Sequence, residues 1–355
     1  MSNIHPISHA APAPRRAALA VALLVALALL VACGNEGATA TATATAPPEP
    51  ATAPSAATAA PETADASFPL TLSGSDGVAI TIPAQPQRIV SVSPGATEIL
   101  FAIGAGPQVV AVDRYSDYPP AAQALPQLAT YLDTADPETV LAQSPDLLVT
   151  STADQAQQFR SLGIPTLLLD IPTTIDGVYE DTRLLGTATG HDAETQRFIA
   201  ETRRRVDAVV QRLRDVAQGP TVFFELDNTL YTAAPGSFIG NMLALLHARN
   251  VAAGASSPFP QLTAEAVIAA NPEVILLADG GFGESLATVA ARPGWSTTSA
   301  VTTGRVIAVD PNLTNRPGAR IADAVELLAG ALYPDRFAAA AAATATPAGT
   351  AGAAR

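Results

Sequence analysis

The chain has no lysine: all 19 basic residues among its 355 are arginine. A Schiff-base lysine and the lysine of a phosphate-binding P-loop are therefore both excluded. There is one cysteine, Cys33, so no internal disulfide can form and a folded domain must be stable through its core alone. Of four histidines, His5 and His9 lie at the extreme N-terminus, which leaves His191 and His247 and argues against a His-rich metal site. Basic residues are outnumbered by 32 acidic ones, for a formal charge of −13, and binding to nucleic-acid phosphates is disfavoured. The missing Lys, His and Cys constellations also disfavour an exported enzyme. Ser237, in Pro235-Gly236-Ser237, fails the GxSxG elbow and reads as a helix cap instead. No catalytic residue, metal or cofactor is expected.

What is present begins at the N-terminus. Arg15 and Arg16 precede an apolar run from Ala17 to Ala32, followed by Cys33 in Leu30-Val31-Ala32-Cys33-Gly34. A basic segment, a short apolar one and small residues before a cleavage point make a secretory signal, and the run is short for a membrane span. The pattern resembles a bacterial lipobox, which implies cleavage before Cys33 and a lipid on its thiol. Residues 1–32 are thus expected to be a lipoprotein signal peptide, and 33–67 an Ala/Thr/Pro tether that cannot bury enough apolar surface to fold. The tail at 338–355 has a similar composition.

Between these ends, Phe68 to Ile82 reads as two short strands around Gly-Ser-Asp-Gly. Apolar strand signals at Arg88–Val92, Val109–Val112, Asp146–Thr150 and Thr166–Leu169 alternate with helical ones at Thr97–Ile103, Glu138–Gln143 and Ala153–Leu162. Strands alternating with helices imply a parallel sheet covered on both faces. A long amphipathic segment follows, from Asp192 to Gln218, with an apolar stripe at Phe198, Thr202, Val206, Val209, Leu213 and Val216. Asp192 is its expected N-cap and Gly219-Pro220 its stop. The grammar then restarts, with strands at Thr221–Glu225, Val274–Leu277 and Val306–Val309 and helices at Phe238–His247, Glu265–Ala270 and Ala319–Leu332.

The halves share a phrase in one register: Asp136-Pro-Glu138-Thr-Val-Leu-Ala-Gln-Ser-Pro-Asp146-Leu-Leu-Val and Thr263-Ala-Glu265-Ala-Val-Ile-Ala-Ala-Asn-Pro-Glu273-Val-Ile-Leu. The fold class is therefore α/β: two Rossmann-like lobes with central parallel sheets, at 68–175 and 220–337, joined through the region 176–219 by one long backbone helix. Glu138 and Glu265 each fall in a first helical turn. Acids are favoured there by the helix macrodipole, and two equivalent glutamates would also suit a symmetric partner presenting cations.

The stretch from Arg88 to Glu98, the phrase Asp113-Arg-Tyr-Ser-Asp-Tyr-Pro-Pro120, the Glu138 phrase and the stretch from Arg305 to Arg320 resemble the helical-backbone class of ABC-transporter substrate-binding proteins. Within it the nearest likeness is to vitamin B12-binding proteins, over roughly Phe68 to Phe337. The resemblance implies a lipid-anchored, extracytoplasmic monomer that binds a small-molecule ligand, a corrinoid, in the interlobe cleft and delivers it to an ABC permease dimer. It places Tyr115, Tyr131, Phe259, Asn315 and Arg316 at the ligand and Glu138 and Glu265 against permease arginines. Tyr131 and Phe259 stand where the family often has Trp, and a further family Trp after the strand at Leu147 to Thr150 is absent, Ser151 standing near that point. Rival ligands on the same scaffold are a ferric siderophore, met by Arg114 and Arg316, and haem, with an axial ligand from Tyr115, Tyr131 or Tyr231.

Overall fold

A computed structural model describes residues 67–128 and 135–337. Cys33, the signal segment, most of the tether, Tyr131 and the C-terminal tail lie outside the described residues.

An antiparallel hairpin comes first, β1 (Leu70–Ser73) on β2 (Ala79–Ile82). The first lobe runs β3 (Ile89–Val92), α1 (Pro94–Ala102), β4 (Val109–Val112), α2 (Pro120–Gln123), α3 (Pro137–Ala142), β5 (Leu147–Thr150), α4 (Ala153–Ser161) and β6 (Thr166–Leu168). Two helices follow, α5 (Ile175–Thr189) and α6 (Asp192–Arg212). The second lobe comprises β7 (Thr221–Glu225), α7 (Phe238–Leu245), β8 (Arg249–Asn250), α8 (Ala264–Ala270), β9 (Val274–Leu277), α9 (Leu286–Ala291), α10 (Ser299–Thr302), β10 (Val306–Ala308), α11 (Pro311–Thr314) and α12 (Ile321–Leu332).

Both sheets are parallel, in the orders β4-β3-β5-β6 and β10-β9-β7-β8. In each the second strand lies on one side of the first, and the third and fourth lie on the other, so the lobes wind identically. The shared phrase has a structural meaning. Ser144 and Asn271 take left-handed backbone conformations, and the Pro-acid pair after each then fastens the third strand to the first. The Asp146 carboxylate accepts the Gln87 and Arg88 N–H groups at 2.7 and 2.9 Å, and its own N–H donates to the Arg88 carbonyl at 3.0 Å. Glu273 does the same at Thr221, accepting and donating at 2.8 Å.

Strand residues alternate between two cores, as a sheet covered on both faces requires. Ile89, Leu147, Val149, Val222, Phe224, Val274 and Leu276 enter one continuous core that also takes in Val178 and Leu185 of α5 and Val206 and Val209 of α6. That core runs unbroken through both lobes. Val90, Leu148 and Phe159 form a separate outer core in the first lobe; Phe223, Ile275, Leu277 and Trp295 form its counterpart in the second.

The long helix differs from expectation in three ways. It ends at Arg212, although Leu213 is still buried: the Leu213 N–H turns to the Val210 carbonyl, and Arg336 donates to the freed Arg212 carbonyl at 2.9 Å and pairs with Asp215 beyond it. Its N-cap is His191, while Asp192 instead accepts from the Thr187 hydroxyl at 2.8 Å. It also does not cross alone. α5, which composition hid, lies antiparallel to it and touches both lobes: the Ile175 N–H donates to Asn241 of α7 at 3.2 Å, and the Thr189 carbonyl accepts from Gln85 and Gln108 of the first lobe. At ~1.5 Å per residue, the 21 residues of α6 span about 31 Å.

Candidate functional site

In open α/β sheets, ligands bind beyond the carboxyl ends of the strands. There the chain forms a pocket of about 230 Å³ between the lobes. The first lobe contributes Ser93 to Ala96 after β3, Ser151 after β5 and Leu169 to Pro172 after β6; the second contributes Pro311, Asn312 and Asn315 to Pro317 after β10; Asp181 enters from α5. The lobes meet without side chains at one side of this floor. A Cβ on Gly95 would lie 2.5 Å from the Pro317 carbonyl oxygen, and one on Gly318 would lie 3.2 Å from Gly95 Cα.

A buried charge cluster locks this contact. Glu98, on α1, is 2% exposed and accepts from Arg316 Nη1 at 3.1 Å and from Arg320 Nη2 at 2.6 Å and Nε at 3.1 Å. Arg316 also donates to Asp117 at 2.6 Å and Asn312 at 2.9 Å, and Arg320 lies 4.1 Å over the Tyr118 ring. The loop carrying Tyr115, Asp117 and Tyr118 is itself fixed by a buried polar chain: Thr97 Oγ1 lies 2.8 Å from both Ser91 and Ser116 hydroxyls, and Ser116 donates to Asp113 at 2.7 Å. Burial raises the Asp113 carboxyl above its ordinary value, against the lowering effect of the Ser116 and Tyr115 donors.

Of the expected ligand residues, Asn315 and Arg316 line the pocket. The Arg316 guanidinium is already held by two carboxylates, so an anionic ligand would compete with Glu98 and Asp117 for it. Tyr115 and Phe259 are absent from the pocket floor and stand at loop tips, 37% and 50% exposed, with Arg114 stacked 4.7 Å from the Tyr115 ring and donating to its hydroxyl at 2.6 Å. The sole Trp, Trp295, is buried in the second lobe between Phe223 and Arg292.

Sequence reasoning reached Ser151 only through the resemblance, and missed Ser93, Asp170 and Asp181 and the pairing of Glu98 with Arg320. No cation among the described residues pairs with Asp170 or Asp181. Asp181 is pushed up to about 7 by burial, then by the neighbouring charges of Glu180 and Asp170. The first-turn N–H groups of Gly95 and Ala96 have no intrahelical acceptor. The pocket thus offers uncompensated acceptors alongside free donors. Among the described residues no His, Cys, Asp and Glu cluster could hold a metal ion.

Glu138 and Glu265 occupy equivalent first-turn positions in α3 and α8. Each helix runs back to the start of its third strand, so its N-terminus sits at the carboxyl-end side of the sheet, the side of the cleft. Both side chains are exposed, and among the described residues neither carboxylate makes a hydrogen bond or an ion pair.

Two parallel α/β lobes winding alike, a cleft at their strand ends and a continuous core through linking helices define a bilobal solute-binding protein. The periplasmic binding protein family matches residues 89–313, and the chain belongs to that family. It is 30% identical over 280 residues to an ABC transporter substrate-binding lipoprotein of Bacillus subtilis, covering 76% of this chain and 87% of that one. It is 31% identical over 277 residues to a cobalamin-binding protein of Halobacterium salinarum, covering 75% of each. Among solved structures, the periplasmic vitamin B12-binding protein of Vibrio cholerae superposes with a TM-score of 0.62 at 28% identity, over 70% of this chain and 98% of that one. The periplasmic haem-binding protein of a Roseiflexus species does so at 0.63 and 27%, over 71% and 99%. The chain is a substrate-binding protein of an ABC transporter, and its working compartment is outside the cytoplasm.

Proposed function

We propose that the protein captures a corrinoid, cobalamin or cobinamide, in the interlobe cleft and hands it to an ABC importer without performing chemistry on it. The chemistry of the pocket floor carries this reading. Its one arginine is neutralised by Glu98 and Asp117, its carboxylates at Asp170 and Asp181 are unpaired, and Ser93, Ser151, Asn312 and Asn315 are neutral and polar. A primary carboxamide both donates and accepts, and the corrin ring carries such groups on its edge. Haem propionates and anionic siderophores would instead meet Asp170, and could pair with Asp181 only in its protonated form. Enclosed sites for drug-sized ligands run to ~300–1,000 Å³. A floor of about 230 Å³ therefore fits an edge substituent, with the macrocycle lying across the open mouth among exposed rings such as Tyr115 and Phe259. The relatives named for cobalamin and vitamin B12 support the same ligand.

Lipidation at Cys33 would tether the monomer to a membrane, and Glu138 and Glu265 would dock on arginines of a permease dimer. Titration of the purified protein with cyanocobalamin, haem and a ferric siderophore tests the ligand. Sub-micromolar affinity for cyanocobalamin is expected; sub-micromolar binding of haem alone would sink the assignment. Charge reversal of Glu138 and Glu265 together is expected to abolish uptake while leaving ligand affinity unchanged.

A further inference from the structure

Asp181 is unusual within the cleft because it comes from neither lobe's strand-end loops. It stands on α5 and lines the floor beside Ser93, Ser151 and Asn315. The charges that act on it are those of Glu180 on its own helix and Asp170 from the β6–α5 connection, and Arg316 from the second lobe lines the same pocket. The first two are acids, and Arg316 is committed to Glu98, Asp117 and Asn312. Among the described residues no cation forms an ion pair with Asp181.

Resting on the corrinoid reading, we infer that Asp181 is a specificity-determining residue that accepts a hydrogen bond from a ligand carboxamide N–H.

In the free protein, burial and two acidic neighbours hold its carboxyl at about 7, so near neutral pH a substantial fraction carries a proton. An N–H donor favours the carboxylate and lowers the affinity for that proton in the complex. The balance is simple: the O–H proton leaves to solvent, and the ligand N–H takes its place as hydrogen-bond partner. A ligand carboxylate would have the opposite effect, since it would require the proton to stay. Where Asp181 is the acceptor, affinity for a carboxamide ligand weakens as pH falls below about 7, by up to about tenfold per pH unit for one coupled proton, whereas a protonated Asp181 donating to the carboxamide oxygen would give no such loss.

The test is calorimetric titration of the protein with cyanocobalamin at pH values from about 5.5 to 8, in buffers of different ionisation heat. Net proton release near pH 7 and a Kd that rises on acidification are expected. Asp181→Asn should release no proton and show a flat profile. Binding without proton release in the wild type, or with proton uptake, would overturn the inference while leaving the corrinoid reading intact. No binding of cyanocobalamin at any pH would overturn the reading itself. The wild-type proton count stands even if the Asn variant folds poorly.

Discussion

Glu98 and Asp279 are both buried acids, and they have opposite consequences. Glu98 holds two arginines from the other lobe. Removing one partner of a buried charge cluster leaves the rest uncompensated, at a cost of about 3–5 kcal/mol. Glu98→Ala is therefore expected to lower the urea midpoint by a large margin, and wild-type-like unfolding would show that Asp117 and Tyr118 suffice for the two guanidinium groups. Asp279 follows β9, is 6% exposed, and among the described residues neither carboxylate oxygen has a hydrogen-bond partner. Burial, and then Glu284, raise its carboxyl, with Arg292 acting against them. A folded-state value raised above the unfolded one means that the native state binds the extra proton, so this contribution is intact below about pH 4 and is lost as pH rises through the folded value. Asp279→Asn should match the wild type in acid and become the more stable protein toward neutrality, as urea midpoints across that range would show. A wild type that is the more stable at pH 7 would contradict this.

Among the elements, strands were legible and two helical features were not. Runs such as Val274–Leu277 are buried on both faces, so an unbroken apolar stretch betrays them. The shared Pro-acid phrase was legible for a related reason, since it encodes one backbone clamp used twice. α5 stayed hidden because Gly177, Gly186 and several threonines lower its helix propensity. Gly186 is there for packing: a Cβ would lie 2.1 Å from Thr195 Oγ1 on α6. The carbonyl left free at Arg212 is taken by Arg336, which is distant in sequence, and no periodicity could report that contact. Distance hid the cleft in the same way: Arg316 and Arg320 lie 218 and 222 positions after Glu98, and nothing local to either segment shows that the three meet. Two glycine substitutions test the packing argument. Gly→Ala in a helix ordinarily stabilises by about 0.5–1 kcal/mol, and overpacking costs about 1–3 kcal/mol. Gly330 on α12 has nothing within 4 Å of an added Cβ, so Gly330→Ala should raise the thermal midpoint. Gly186→Ala should lower it, and equal signs for the two would refute the close approach of α5 and α6.

Over the whole molecule, one core passes through both lobes, two antiparallel helices span them, and a buried charge cluster closes the cleft floor. Hinging would have to break all three. Scattering profiles with and without ligand are therefore expected to differ by no more than a closure of a few ångströms, about the scale of shear between packed elements. A wide difference would mean that the lobes part in the free state. Rigidity also gives Glu138 and Glu265 a fixed spacing, which a partner with matching arginines could read.

The claim on which the rest depends is that the pocket between Gly95, Ser151, Asp181 and Asn315 seats the edge of a corrinoid. Equilibrium titration of cyanocobalamin into the wild type and into Asn315→Trp, which puts an indole into that floor, addresses it most directly. A single sub-micromolar site per chain, lost in the folded Trp variant, is the predicted result. Undiminished affinity in that variant, or a site that takes haem and refuses cyanocobalamin, would contradict it.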